Sequence, residues 1–339
     1  MKSEFALTLL AWFRENGRDL PWRQTRDPYP IWLSEIILQQ TQVKQGWDYW
    51  ERFMRRWPKV EDLAAATEDE VLREWQGLGY YSRARNLHYA AKQIVALGYF
   101  PDTLEEIKAL KGVGDYTAAA IGSFAFDIPA AVVDGNVYRV LARHFGIDTP
   151  INTTEGKKVF TAMAQELLPA SEDSDYNQAI MDFGAIQCTP QSPRCFQCPL
   201  WETCDAVHTD RVDDLPVKLH KLTVKERHLS YIYIRCRGEV AIHRRSPGDI
   251  WQGLWEPYLE DEGNKPELKG WYTILKRDVK HVLTHQVLMA DFALLQTDER
   301  PQLPPDYIWV AEEDLGNYGV PRLVERLFHA VRLYDEEPD

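Results

Sequence analysis

The sequence has no excess of positive charge, which a protein that binds nucleic acid through its bulk charge would show. Its 339 residues contain 39 Lys and Arg against 52 Asp and Glu, for a formal net charge of −13. This balance counts against an ordinary nucleic-acid-binding surface. Any contact with DNA must therefore use local basic patches and main-chain amides.

Long apolar runs and scattered cysteines are also lacking. No stretch is apolar for long enough to span a bilayer, and no secretory n-region is recognisable, which together predict a cytoplasmic protein without membrane partners. Of only five cysteines, four lie between residues 188 and 204. Clustered thiols in such a chain predict a metal site rather than disulfides. The length predicts two domains.

The most informative stretch is residues 110–143, LKGVGDYTAAAIGSFAFDIPAAVVDGNVYRVLAR. Its turn Gly112-Val113-Gly114 precedes an apolar helix, whose first amides would suit a phosphate. Asp134 stands where the N-cap of a second helix is expected, so the helix terminus would keep its carboxylate ionised. In isolation, an ordinary turn explains the glycines equally well, and a plain N-cap is the favoured explanation of Asp134.

Glu35 is a second carboxylate of interest, because it lies among apolar residues in a helix predicted over residues 31–57. An apolar setting disfavours the charged form, so the pKa of Glu35 should rise and allow it to act as a general acid. The alternative places Glu35 in the first helical turn, facing water. Glycoside cleavage needs one protonated and one ionised carboxyl group, and Glu35 and Asp134 would form such a pair.

Two predicted loops combine aromatic and basic side chains. The loop with Arg18 and Trp22 could line a base pocket or simply close the edge of the core. Residues 75–85, WQGLGYYSRAR, could wedge an aromatic ring into a base stack, or could be a helix-turn-helix connection.

The clustered cysteines follow the spacing Cys188-x6-Cys195-x2-Cys198-x5-Cys204. Four thiolates at short fixed spacing are typical of tetrathiolate metal sites. The loop lacks the paired C-x2-C knuckles of zinc ribbons. A [4Fe–4S] cluster is therefore favoured, and zinc is the alternative.

The pattern of apolar and polar residues changes after a polar segment, residues 209–225, which is predicted to be a linker. Residues 229–236, 239–245 and 287–295 alternate like strands, and residues 320–334 form an amphipathic pattern. These patterns predict an α+β domain over residues 226–334, after a helical domain over residues 1–208.

Five motifs in this order resemble the MutY-type adenine DNA glycosylases of the helix-hairpin-helix base-excision repair superfamily: LSEIILQQTQV, GLGYYSRARNLH, LKGVGDYTAAA, VVDGNVYRVLAR and the cysteine loop. The resemblance is dense over residues 3–208 and looser beyond them. It implies an all-α helix-hairpin-helix glycosylase domain with a [4Fe–4S] loop, followed by an α+β Nudix-like domain that recognises 8-oxoguanine. The implied reaction hydrolyses the N-glycosidic bond of adenine opposite 8-oxoguanine or guanine in double-stranded DNA, and the implied enzyme is a monomer.

The same resemblance implies roles for individual residues. Glu35 would protonate adenine N7, and Asp134 would stabilise the oxocarbenium-like sugar or trap it briefly as a covalent adduct. Tyr116 and Asn136 would support them. The remaining implied contacts are Arg18, Trp22 and Gln178 at the adenine, Gln40 and Tyr80 inserted at the lesion pair, Gly112, Val113 and Gly114 at a phosphate, Leu283, Thr284 and His285 at 8-oxoguanine, and Cys188, Cys195, Cys198 and Cys204 at the cluster.

Some positions separate this chain from its relatives. Tyr116 stands where strand-cutting, endonuclease III-like relatives carry a Lys nucleophile, so a monofunctional enzyme is implied. Lys111 replaces a hairpin Pro, Leu283 replaces an aromatic residue, and Thr284 keeps the hydroxyl group. The Nudix hydrolase signature is absent, which predicts binding without pyrophosphatase activity.

Two alternative functions remain at this point. A thymine-mismatch glycosylase of the same superfamily is opposed by the C-terminal reader domain. A non-catalytic, lesion-binding iron–sulfur protein is opposed by the presence of both Glu35 and Asp134.

Overall fold

The computed structural model describes residues 2–171, 173–219, 224–260 and 270–336. The chain divides into two compact units, one formed by Met1–Gly46 and Ala90–His220, the other by Trp47–Tyr89 and Lys221–Asp339. The domain boundaries drawn from the sequence remain a prediction, and residues 220–223 of the predicted linker lie outside the described residues. None of the described helices is both long and apolar enough to cross a membrane.

The helices in chain order are α1 (Lys2–Asn16), α2 (Pro28–Leu38), α3 (Val43–Arg56), α4 (Val60–Ala65), α5 (Glu68–Glu74), α6 (Ser82–Leu97), α7 (Leu104–Ala109), α8 (Asp115–Phe126), α9 (Gly135–Phe145), α10 (Thr154–Leu167), α11 (Asp173–Ile186), α12 (Asp205–His208) and α13 (Arg322–Glu336). The strands are β1 (Lys225–Cys236), β2 (Glu239–Arg244), β3 (Trp255–Glu260), β4 (Trp271–Val282), β5 (Gln286–Thr297) and β6 (Tyr307–Ala311).

The first unit is helical, and its main core lies where α1, α9, α10 and α11 meet. The apolar stripe of α1 contributes Phe5 and Leu9, and the facing helices contribute Leu141, Phe160 and Phe183, all of them buried. Burial of such side chains stabilises the fold by roughly 1.5–3 kcal/mol each. This core supports the starts of α9 and α11, where several predicted site residues lie.

The single helix predicted over residues 31–57 is wrong. α2 ends at Leu38 and α3 begins at Val43, and Gln40 between them has a φ of 58°. A left-handed residue cannot continue a right-handed helix, so the chain turns at this point.

The second unit contains one six-stranded sheet with the order β4-β5-β1-β3-β2-β6, in which β1 and β5 are parallel. α13 covers one face of it with buried Leu323, Val324 and Leu327. The strand patterns over residues 229–236, 239–245 and 287–295 are confirmed by β1, β2 and β5, except that β2 ends one residue earlier, at Arg244. The mostly exposed β4 gave no clear alternation of apolar and polar residues, and neither β4, β3 nor β6 was predicted.

Residues 47–89 belong to this second unit, although the sequence boundaries assign them to the helical domain. Helix α5 carries their contacts with the sheet. The Arg244 guanidinium donates to the Glu68 carboxylate at 2.8 Å, and Trp255 Nε1 donates to Asp69 Oδ1 at 3.4 Å. Charged groups of one short helix thus hold β2 and β3.

Candidate active site and cysteine loop

Glu35 lies in the middle of α2 and is only 7% exposed. Tyr116, the second residue of α8, donates a hydrogen bond from its hydroxyl group to Glu35 Oε2 at 2.9 Å. Burial raises the pKa of Glu35 to about 7, the Tyr116 hydrogen bond opposes this rise, and the nearby Asp134 carboxylate adds to it. The predicted rise in pKa is confirmed, and the alternative of a water-facing Glu35 is wrong.

Tyr116 keeps its own proton under all ordinary conditions. Burial and the carboxylates of Glu35 and Asp134 raise the pKa of Tyr116 well above its usual value. The phenol therefore donates rather than accepts, and Glu35 Oε2 is held in one orientation. Glu35 Oε1 makes no hydrogen bond to a described residue, so it is available to a substrate.

Asp134 is the N-cap of α9, as predicted. Its Oδ1 accepts the backbone N–H groups of Asn136 and Val137, each at 2.8 Å, and its Oδ2 accepts the Asn136 side-chain amide at 2.7 Å. Burial raises the pKa of Asp134 above its usual value, and these three donors lower it only in part. The sequence considered the helix terminus alone, which stabilises the carboxylate, and missed the opposing effect of burial.

The two carboxyl groups still differ in how strongly each is stabilised as an anion. Asp134 has three donors and a helix N-terminus, whereas Glu35 has one tyrosine hydroxyl. When two nearby carboxyl groups share one proton, it resides on the group with the weaker stabilisation of charge. We therefore expect the proton on Glu35 and the negative charge on Asp134.

Asn136 connects Asp134 with the cysteine loop through Arg139, which the sequence did not single out. Arg139 Nη2 donates to Asn136 Oδ1 at 2.9 Å and to the Gly184 carbonyl at 2.6 Å. Arg139 Nε donates to the Cys188 carbonyl at 2.7 Å. The side chain that orients Asp134 is thus tied to the start of the loop.

A cavity lies beside Glu35. It is lined by the three residues predicted for the adenine pocket, Arg18, Trp22 and Gln178, together with Glu35 itself. Trp22 is buried in a short 3₁₀ helix, Pro21–Arg23, that leads towards α2. The sequence predicted that these residues lie together, and the structure brings them together; their roles remain a prediction.

Asp182 on α11 binds two arginines that line the cavity, Arg18 and Arg23, and it was not among the residues predicted from the sequence. Its fully buried carboxylate accepts from Arg18 Nε and from both terminal nitrogens of Arg23, all at 2.8 Å. Burial alone would raise the pKa of Asp182, but the two arginines outweigh it and lower the pKa. The available signal was the i, i+4 spacing between Gln178 and Asp182, which places both on one helix face.

Asn177, also on α11 and also missed, fixes the segment that leads to Asp134. Its Oδ1 accepts the Val132 N–H at 3.1 Å, and its Nδ2 donates to Ser123 Oγ and to the Ala130 carbonyl, both at 2.9 Å. Asn177 is 1% exposed, and its polar atoms are satisfied by three partners from α8 and the following segment. The position of Asp134 therefore depends on a side chain 43 residues away in sequence.

The turn between α7 and α8 has the geometry that the glycines predict. Gly112 has a φ of 81°, which favours glycine, and Gly114 is the N-cap of α8. The N–H groups of Gly112 and Gly114 make no hydrogen bond to a described residue, whereas that of Lys111 donates to Gln93 Oε1 at 2.8 Å. Free amides at a helix start are what an anion requires.

Gln40 and Tyr80, each predicted to insert at the lesion pair, both have left-handed backbones with φ of 58° and 47°. Such conformations cost non-glycine residues about 1–3 kcal/mol and are concentrated at functional positions. Tyr80 is 45% exposed, and the Arg83 guanidinium lies 5.5 Å from the centre of its ring.

In the second unit, Tyr80 contacts the predicted 8-oxoguanine element. The Tyr80 hydroxyl lies 2.5 Å from Thr284 Oγ1, in the turn between β4 and β5. Leu283 packs against the core of the second unit and donates its N–H to the Gln286 carbonyl, and the His285 carbonyl accepts from Lys225. The structure thus brings Tyr80 and Thr284 together and gives Leu283 a packing role.

All four cysteines of the loop are free. Cys188, Cys198 and Cys204 pack against the core of the first unit, and Arg143 Nη1 lies 3.5 Å from Cys188 Sγ. Among the described residues, no three His, Cys, Asp or Glu side chains converge on a single metal ion. Four free thiols in one short loop fit a tetrathiolate metal site by the chemistry of their donor atoms.

Comparison with known proteins gives the chain its family. Residues 33–168 match the family described as HhH-GPD superfamily base excision DNA repair protein, and residues 230–330 match the NUDIX domain. An adenine DNA glycosylase of Mus musculus is 31% identical, over 98% of this chain and 78% of that protein. The chain belongs to the adenine DNA glycosylase family. Another member, from Buchnera aphidicola subsp. Schizaphis graminum, is 33% identical over 95% of this chain and 97% of its own length.

Solved structures agree with this assignment. A thermostable thymine-DNA glycosylase matches with a TM-score of 0.57 and 32% identity, over 61% of this chain and 97% of its own. An endonuclease III–DNA complex matches with a TM-score of 0.54 and 23% identity, over 62% of this chain and 98% of its own, and it supports the fold alone. The predicted family, the fold class and the assignment as a base-excision glycosylase are confirmed.

Proposed function

We propose that this adenine DNA glycosylase hydrolyses the N-glycosidic bond of adenine opposite 8-oxoguanine or guanine and leaves the DNA strand uncut. The observation that carries the proposal is the buried Glu35–Tyr116 hydrogen bond beside the capped Asp134. A flipped adenine would enter the cavity lined by Trp22 and Gln178, next to Glu35.

Glu35 acts as the general acid. With a pKa of about 7, a substantial fraction of Glu35 is protonated near neutral pH, and its Oε1 can deliver the proton to adenine N7. Protonation turns the base into a neutral leaving group. A carboxyl group with an ordinary pKa would be almost fully ionised at this pH and could not donate.

Asp134 supports the sugar as the bond breaks. Positive charge develops on the ring, and a carboxylate fixed by Asn136 and Val137 stabilises it without reorganising, either electrostatically or as a short-lived covalent adduct that water then attacks. Arg139 positions Asn136, so the carboxylate keeps its angle throughout the reaction.

The absence of strand cleavage follows from the residue at position 116. A lyase step requires a neutral amine that forms a Schiff base with the sugar. Here the corresponding side chain is a phenol with a strongly raised pKa, and no lysine is among the described residues that line the cavity.

Recognition of the mispair is assigned to both units. The free amides of Gly112 and Gly114 would bind a phosphate without any basic surface, which suits a chain of net charge −13. Tyr80 and Thr284, in hydrogen-bond contact, would meet the base opposite the adenine, and Thr284 Oγ1 supplies the polar group that reads 8-oxoguanine. The enzyme acts as a monomer on duplex DNA.

Cys188, Cys195, Cys198 and Cys204 would hold a [4Fe–4S] cluster. When bound, the cluster would crosslink the loop and could carry electrons. Arg143 stabilises the loop directly, since its guanidinium donates to the carbonyl groups of Thr189 and Leu215 at 2.7 and 3.1 Å. Iron and sulfide analysis of the purified protein tests the assignment, and stoichiometric zinc without sulfide would contradict it.

Thymine-mismatch cleavage is the second candidate, because the helical part of the chain is similar to a thymine-DNA glycosylase. That similarity covers 61% of the chain, and the β4–β5 turn with Thr284 belongs to the NUDIX match at residues 230–330. The C-terminal domain therefore favours the adenine reaction. Both carboxylates count against a non-catalytic protein.

Single-turnover assays decide among these functions. Duplexes with A:8-oxoG, A:G, T:G or thymine glycol are incubated with the enzyme and split, one half being treated with alkali. We expect base loss from A:8-oxoG and, more slowly, from A:G, with strand breaks only after alkali. Loss from T:G alone, no loss from A:8-oxoG, or efficient trapping of a DNA adduct by borohydride would overturn the proposal.

A further inference from the structure

A second cavity lies within the second unit, and none of the predicted site residues lines it. Its volume is about 480 Å³, and it lies between α3, the end of α5 and α13. That volume falls within the roughly 300–1,000 Å³ of small-molecule sites. The charged and amide side chains that line it are Arg52, Arg73, Gln76, Glu325, His329 and Arg332.

One face of α13 forms a wall of this cavity. Glu325, Phe328, His329 and Arg332 follow the i, i+3, i+4, i+7 spacing, which places them on one side of a helix. The opposite side of α13 is buried in the core of the sheet. The core therefore orients the helix and presents this charged face to the cavity.

The arginines of α5 and α13 that line the cavity have no carboxylate partner among the described residues. Arg332 and His329 make no hydrogen bond or ion pair with a described residue. Arg73 donates only to the neutral Asn317 Oδ1, at the long distance of 3.5 Å. Neither Arg73 nor Arg332 is therefore paired with a carboxylate of the described residues.

Two carboxylates lie at or near the cavity. Glu325 accepts a hydrogen bond from the neutral Gln76 side-chain amide, so it keeps its negative charge and offsets one of the arginines. Glu74 pairs with Arg52 at 3.4 Å, so Arg52 is already compensated. Arg73 and Arg332, one on each wall, therefore stand against the single carboxylate of Glu325, which leaves one positive charge in excess, and a concave surface focuses such a field on an anion.

We propose that this cavity binds the phosphate group of a phosphate ester, with Arg73 and Arg332 as its ligands. Guanidinium groups bind phosphate oxygens in bidentate geometry. Tyr318 and Phe328 also line the cavity and provide aromatic surface for the base or sugar attached to the phosphate. Both a free nucleotide and the DNA backbone carry this chemistry.

The first measurement is calorimetric titration of the full-length protein with ADP, as a free nucleotide, and with inorganic phosphate. We expect ADP to bind saturably, and Arg73→Ala/Arg332→Ala to weaken its binding at least about tenfold. The matched control is Arg322→Ala, which removes an exposed arginine from the same helix outside the cavity and should change binding less than about twofold.

The second measurement is the salt dependence of binding to an undamaged DNA duplex. If the ligand is a backbone phosphate, ADP binding is absent and the double variant reduces the magnitude of the slope of log K against log [salt] by about 0.9 for each phosphate contact that is lost. Arg322→Ala should leave the slope unchanged.

Either result supports the site and identifies the source of the phosphate. The proposal is overturned if wild type and the double variant bind both ADP and the duplex equally, or if Arg322→Ala behaves like the double variant. The single Arg332→Glu substitution, at an exposed position, covers the case in which the double variant does not fold. Base release from A:8-oxoG, measured separately, tests the glycosylase proposal alone, so the two can fail independently.

Discussion

Glu35 in the first unit and Glu256 in the second are both buried glutamates that accept a hydrogen bond from a tyrosine. Glu35 is 7% exposed and receives the Tyr116 hydroxyl at 2.9 Å. Glu256 is 1% exposed and receives the Tyr231 hydroxyl at 2.7 Å. The pKa of Glu35 nevertheless rises to about 7, whereas that of Glu256 is lowered.

The difference lies in the groups that donate to each carboxylate. Burial alone would raise the pKa of Glu256, but His243 Nε2 at 3.0 Å and Arg245 Nη1 at 2.6 Å from both carboxylate oxygens outweigh it. Within the part of the chain that the structure describes, Glu35 has no cation at hydrogen-bond distance, and the charge of Arg23 has the smallest effect on its pKa. A buried carboxyl group thus becomes a proton donor only where no positively charged side chain lies close enough to stabilise its ionised form.

The largest expected effect is on the rate of base release, which should depend on Glu35 and not on Glu256. Glu35→Gln should slow base release by a factor of about 10³ or more, since general acids contribute about 10²–10⁴. Glu256→Gln is the matched control, and its folded fraction should react within a few-fold of wild type. Single-turnover cleavage of A:8-oxoG measures both, with DNA binding checked by anisotropy. A Glu35→Gln rate within about tenfold of wild type, about 1.4 kcal/mol of barrier, would remove Glu35 from the mechanism.

Asp134→Asn tests the second carboxyl group of the pair. Asn is also a good N-cap, so α9 should keep its start while the negative charge is lost. We expect the rate of base release to fall about 10²–10³-fold with little change in thermal unfolding. Unchanged turnover would mean that Asp134 is only the cap of α9.

Substitution of each glutamate by glutamine should change the free energy of unfolding, and the two changes should have opposite signs. Glu256→Gln leaves Arg245 without its buried partner and should cost about 3–5 kcal/mol of the free energy of unfolding. The folded pKa of Glu35 lies above its usual value of 4.5, so its contribution to stability falls as pH rises from about 4.5 to about 7. Glu35→Gln should therefore stabilise the protein at pH 8 by up to about 3 kcal/mol, and much less at pH 5.

Urea unfolding at pH 5 and pH 8 measures both variants. A Glu35→Gln protein that is less stable than wild type at pH 8 would show that its burial is compensated after all.

The smallest expected effect is that of removing the hydroxyl group of Tyr116. The Tyr116 hydrogen bond lowers the pKa of Glu35, so Tyr116→Phe should raise that pKa further. The decline of the base-release rate on the alkaline side should then move to higher pH, with the plateau rate reduced about tenfold or less because Glu35 Oε2 is less well oriented. The pH profile of single-turnover cleavage from pH 5.5 to 9 measures this. A shift to lower pH would contradict the direction of the effect.

Local features of the fold and site could be predicted from the sequence. The N-cap at Asp134, the glycine turn at Gly112 and the apolar setting of Glu35 each depend on a few adjacent residues, and all three are present. The continuous helix over residues 31–57 was wrong, because the apolar pattern hides the left-handed turn at Gln40.

The contacts that complete the site join residues far apart in sequence. Tyr116 is 81 positions from Glu35, and Tyr80 is 204 positions from Thr284. Asp182 is 164 positions from Arg18. No periodicity or spacing indicates such pairs.

The sequence by itself therefore determined the family, the order of the motifs and the helix start at Asp134, because these follow from neighbours along the chain. Only the tertiary structure decided which side chains meet and how much charge each buried group keeps. Burial raises the pKa of Asp134 in spite of its helix terminus, and Arg245 lowers that of Glu256 in spite of burial. The balance between burial and compensation depends on every group packed around a carboxylate, and that packing exists only in the folded chain.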